Sequence, residues 1–79
     1  MNATSRLTLN KEGMAFDPMT GASYLISPTG LAIIEHWQAG RDDVAAADRL
    51  SAAYNIELKT AARDITDFRA QLRVLQLND

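Results

Sequence analysis

The stretch "YLISPTG", residues 24–30, decides the fold, because it holds two structural instructions with nothing between them. Tyr24, Leu25 and Ile26 are aromatic and aliphatic residues suited to a strand. Ser27 and Pro28 then read as a helix N-cap and the first helical residue, where proline's missing N–H costs nothing. A strand must therefore run straight into a helix. Upstream of this junction the chain punctuates as short strands; downstream it changes period.

Arg6 to Asn10, "RLTLN", alternates apolar and polar and sets Leu7 and Leu9 on one face. "KEG" makes a turn. Met14 to Asp17 reads as a second strand, and "DPMTG", Asp17 to Gly21, puts proline and glycine at turn-forming positions. Ala22 to Ile26 is the third strand, with Ala22, Tyr24 and Ile26 sharing a face. A three-stranded antiparallel meander is the economical arrangement.

Beyond Ser27 the spacing is helical. From Pro28 to Ala39 the apolar positions are Leu31, Ile34 and Trp37, with Ile33 beside them, and Gly40 closes the helix. Asp42 or Asp43 caps a second helix whose inner face is expected to be Val44, Ala47, Leu50 and Tyr54, ending at Asn55. "IELKT" is a connector, with Thr60 the expected cap of the third helix. There Ala61, Ile65, Phe68, Leu72 and Leu75 form one narrow apolar stripe. The expected fold is α+β: a small winged-helix-like domain with an N-terminal β-meander followed by a three-helix bundle. Its core is expected to hold Leu7, Leu9, Phe16, Tyr24, Ile26, Leu31, Ile34, Trp37, Leu50, Ile65, Phe68 and Leu72.

Size and charge narrow the function. Seventy-nine residues make a single domain, 1–79, that buries only about 60% of its unfolded surface or a little more. The absence of cysteine fits a reducing cytoplasm and removes thiolate metal sites. No apolar run approaches the roughly 20 residues of a membrane span, and no signal peptide opens the chain. Ten acidic residues against eight basic ones make no field that would gather a nucleic-acid backbone.

No catalytic machinery, metal site or cofactor site emerges. The one histidine, His36, stands beside Trp37 in the first helix and reads as a boundary residue. Asp42 and Asp43 sit where a helix needs a cap and negative charge. "SPTG" lacks the downstream lysine of a phosphate loop. The last two helices have the length of a helix-turn-helix, but the third opens on Thr60, Ala61, Ala62, Arg63 and Asp64, poor in base-reading side chains.

What remains is the third strand. A small open sheet exposes edges, and Ala22, Ser23, Tyr24, Leu25 and Ile26 contain neither charge nor proline to blunt one. An extended peptide could add there as a further strand. Around the third helix, Ala62, Thr66, Arg69 and Arg73 flank the apolar stripe on one side, and Asp64 and Gln71 flank it on the other. The first flank offers a small residue and two guanidiniums suited to an acidic peptide. Periodicity does not say which flank faces the strand.

The ordered set "DPMTGASYLISPTG", "IIEHWQAGRD", "AADRLSAAYNI" and "ARDITDFRAQLRVLQL" resembles the PqqD family of peptide-recognition domains over about Leu7 to Leu77. Ser27 stands where that family usually has asparagine, and the final "LQLND" lacks its usual glycine. The resemblance implies a non-catalytic element that binds the leader of a ribosomally made precursor peptide. On that resemblance the leader is expected to lie as a strand along Ala22 to Ile26, against a helical wall drawn from Ala62 to Arg73. The implied partners are the leader and a peptide-modifying enzyme, often a radical SAM protein, with no nucleic acid or membrane; a homodimer stays open. Relatives in other settings, including ones with a kinase-like partner, imply a structural subunit as an alternative, and winged-helix DNA binding is another.

Overall fold

The computed structural model describes residues 3–75 and 77. An N-terminal 3-10 turn, Ala3–Arg6, leads into β1 (Thr8–Leu9), β2 (Met14–Phe16) and β3 (Ser23–Leu25), then α1 (Pro28–Gln38), α2 (Asp43–Tyr54) and α3 (Leu58–Val74). The strands form one antiparallel sheet in the order β1-β2-β3. The fold is thus α+β, as the change of period predicts. The strands are shorter than their sequence patterns suggest, and the 3-10 turn has no counterpart in that reading.

Both hairpin turns are made by side chains that replace backbone partners. Asn10 Oδ1 accepts from the N–H groups of Glu12 and Met14, and Gly13 takes φ +93°. In the second turn Asp17 Oδ1 accepts from Met19 N–H, while Gly21 N–H donates back to the Asp17 carbonyl. Asp17 is fully buried and also receives Arg6 Nε and Nη2, each at 3.0 Å. Pairing lets this carboxylate sit inside. The Arg6 hydrogen bonds hold the Asp17 carboxyl below the usual carboxylate range, against the opposing effect of burial, with help from Met19 N–H.

That inward aspartate corrects the expected core. Side chains alternate along a strand, so Asp17 and Ala15 share the inner face and Phe16 takes the outer one. Phe16 is 41% exposed, while Ala15 is fully buried. The larger residue was expected inside, but the register Ala15↔Tyr24 places it out. Leu7, Ile26, Leu31, Ile34, Leu50, Ile65, Phe68 and Leu72 are buried as expected; Leu9, Tyr24 and Trp37 pack partly buried against them.

The junction behaves as its residues dictate. Ser27 Oγ accepts from Gly30 N–H at 3.1 Å, and Pro28 occupies the first turn of α1. Gly40, at φ +85°, follows the Ala39 C-cap. Asp42 caps α2 through Ala45 N–H, and Asn55 ends it in the left-handed region. The inner face of α2 is Ala46, Ala47 and Leu50; Val44, expected there, is 72% exposed, and Tyr54 is also exposed. The connector to α3 is also shorter than expected. Ser51 accepts from Ile56 N–H and donates its hydroxyl to the Ile56 carbonyl, so the chain turns at once. α3 then starts at Leu58, which leaves Thr60 inside it and Glu57 at the cap position with no side-chain cap bond.

Candidate functional site

β3 ends the sheet, and its register says which groups it leaves open. Asp17 N–H donates to the Ala22 carbonyl and Ile26 N–H to the Gly13 carbonyl, both at 2.8 Å. With Ala15 opposite Tyr24, the alternation of an antiparallel ladder turns Ala22, Tyr24 and Ile26 toward β2. The N–H and C=O of Ser23 and Leu25 therefore point away from it. Among the described residues no strand lies beyond them. Leu25 is 83% exposed on the outer face, beside exposed Phe16 and partly exposed Met14.

The inner side of this rim meets α3 at Gly30. A Cβ built on Gly30 would lie 2.7 Å from Phe68 Cε1 and 2.8 Å from Ile26 Cγ2. Only glycine lets the end of β3, the start of α1 and the face of α3 come so close. From there a groove of about 300 Å³ opens, lined by Ser27, Thr29, Gly30, Ile33, Asp64, Asp67, Phe68 and Gln71. Hence the flank of α3 that faces the strand-to-helix junction is the one bearing Asp64 and Gln71.

The other flank packs toward α2. Ala62 and Thr66 line an apolar cleft of about 260 Å³ with Val44, Ala47, Leu58, Ile65 and Asp43. Arg69 closes the corner between the helices. Its Nε and Nη2 donate to the two carboxylate oxygens of Asp43 at 2.9 and 2.8 Å. Its guanidinium stands 4.4 Å from the Trp37 ring centroid, a cation–π distance. Trp37 Nε1–H donates to the same Asp43, and its ring stacks on Phe68 at 6.0 Å between centroids. These contacts, Arg69 foremost, hold the Asp43 carboxyl below its ordinary range. Arg73 is exposed in the last turn of α3. Of the residues read from sequence as a single site, the structure keeps Ala22 to Ile26 together at the rim. It sets Ala62, Thr66 and Arg69 on the α2 side instead.

Of the groove residues, periodicity reads Phe68 as core and Asp64 and Gln71 as the second flank, and gives Gly30 and Asp67 no place in the site. The only signal available was the opposite flank of the helical wheel, with nothing to favour it over the basic one. Among the described residues no group of three or more histidine, cysteine or carboxylate side chains could hold a metal ion. None of their helices is long and apolar enough to cross a membrane.

A family model described as coenzyme PQQ synthesis protein D matches residues 12–77, most of the chain. The chain belongs to the PqqD family. No curated protein and no solved structure matches it. PqqD proteins are a non-catalytic accessory family, and membership implies a partner in peptide modification. The matched span includes β2, β3 and all three helices, and so the whole of the rim and the groove.

Proposed function

We propose that this chain binds a ribosomally made precursor peptide by adding part of its leader as a strand to β3, and presents it to a peptide-modifying enzyme such as a radical SAM protein. The chain performs no chemistry itself. The observation that carries the reading is the outward-facing backbone of Ser23 and Leu25 at the open rim, beside a groove against α3. Membership of an accessory family of peptide modification supports it.

Two outward residues offer at most four backbone hydrogen bonds, worth only a few kcal/mol at ~0.5–1.5 kcal/mol each. Micromolar binding needs about 8 kcal/mol, so side chains on both faces of the guest strand must contribute the rest. The test is titration of the isolated chain with a precursor peptide encoded beside it, followed by amide chemical shifts. The expected result is saturable binding with the largest shifts at Ser23 and Leu25. Leu25→Pro removes an outward N–H while leaving the Tyr24–Ala15 pairing in place. It should abolish binding with the circular dichroism spectrum retained. Full-strength binding to a folded Leu25→Pro variant would rule the reading out.

A further inference from the structure

Resting on that reading, we infer that the guest strand is two-faced: apolar on its solvent side, where it continues the cross-strand row of Met14 and Leu25 next to Phe16, and cationic on the side turned toward Asp64 and Asp67. The argument begins with alternation. A strand hydrogen-bonded to Ser23 and Leu25 sends every second side chain to the outer face, beside Leu25, and the others inward.

The two faces differ in chemistry. Outside, Leu25 is 83% exposed with Met14 opposite it on β2, and Phe16, two residues along β2 and opposite Ser23, is 41% exposed. Such a row lacks only a neighbour, and cross-strand apolar pairs are the contacts a sheet uses for stabilisation. Inside, the groove that leaves the end of β3 is lined by two hydroxyl residues, two aspartates and a glutamine, with Ile33 and the Phe68 ring as its apolar floor. No Lys or Arg lines it. Arg69 of α3 is turned to Asp43 on the α2 side. A guest carboxylate would meet two like charges there, and a guest arginine or lysine would meet their opposites. This reverses the acidic peptide suggested by Arg69 and Arg73 in the sequence.

The test uses three short capped peptides on the isotope-labelled full chain: valine alternating with arginine, valine alternating with glutamate, and serine alternating with arginine. The valine–arginine peptide is expected to shift the Ser23 and Leu25 amides and to bind roughly tenfold more tightly than either other peptide. Neutralising the groove with Asp64→Asn and Asp67→Asn together should weaken it roughly threefold to tenfold, and added salt should do the same. Equal or tighter binding of the glutamate peptide at those amides would overturn the cationic face. Equal binding of the serine–arginine peptide would overturn the apolar one. Because these comparisons vary the peptide, they hold even if a protein variant fails to fold. If no peptide, and no genuine precursor, moves the Ser23 and Leu25 amides, strand addition itself is wrong and this inference falls with it.

Discussion

Ser27, Gly30 and Asp17 each settle a local question that no neighbour could settle for them. Ser27 satisfies an orphan N–H of α1, and Ser27→Ala should cost about 1 kcal/mol. In a domain of this size that lowers the thermal midpoint by about 4–8 °C, which differential scanning calorimetry would measure. Gly30 is fixed by space rather than by backbone angle. An added methyl would drive Phe68 and Ile26 apart, so Gly30→Ala should destabilise by ~1–3 kcal/mol despite alanine's better helix propensity. Denaturant unfolding of Gly30→Ala should therefore give a lower midpoint with little change in slope. Asp17 ties Arg6 to the turn that launches β3. Asp17→Asn strands a half-buried guanidinium and should loosen the β2–β3 turn, visible as faster amide exchange at Ala22 and Gly21.

At the scale of elements, α1, α2 and α3 are joined at one corner by Trp37, Asp43, Arg69 and Phe68. Arg69→Ala should cost roughly 1 kcal/mol, since the ion pair is part-exposed and the cation–π contact is modest. A double-mutant cycle with Asp43→Ala should show the two are coupled. The same Arg69→Ala variant should leave peptide affinity within about twofold of the parent, because its side chain lies on the α2 flank. A large loss of affinity would instead return the basic flank to the site. The flank assignment follows from helix packing: Ala46 and Ala47 of α2 and Ala61 of α3 are all buried. Small residues allow two helices to approach closely, and that approach claims Ala62 and Thr66 for the α2 side.

Across the whole molecule, acid should act through three groups with the same sign. Asp17 and Asp43 have carboxyl groups held low by Arg6 and Arg69. Burial, with Arg41 and Arg49 nearby, pushes the His36 imidazole below its ordinary value. Its Nδ1 is 3.2 Å from the Arg41 guanidinium, which can only donate, so the neutral ring is the one that fits. In each case the unfolded chain binds protons more readily, so stability falls as pH falls. The His36 contribution is lost first, below about pH 6.5, and the aspartates follow below about pH 4. His36→Gln should flatten the first part of a stability curve measured against pH and leave the second intact.

Much of this was legible in the chain because it depends on partners a few residues away. The Ser27–Pro28 start of α1, the Asp42 cap, the Asn55 stop, both hairpin turns and the apolar stripe of α3 from Ala61 to Leu72 are all set by neighbours within one helical turn or one hairpin; Leu75, read as the end of that stripe, follows α3 and is 40% exposed. Phe16 and Val44 misled because apolar pattern alone does not fix which side of a strand or helix finds a partner. Phe16 lost the inner face to Ala15 and a paired Asp17; Val44 lost it to the smaller Ala46 and Ala47. The choice between the two flanks of α3 was of the same kind. Periodicity defines both flanks equally well, and only the packing of α2 against one of them leaves the carboxylate-bearing side to the rim of β3. Local hydrogen bonding thus fixed the elements from sequence, whereas the walls of the candidate groove were decided by which surfaces came together, a contest among distant residues settled by size and burial.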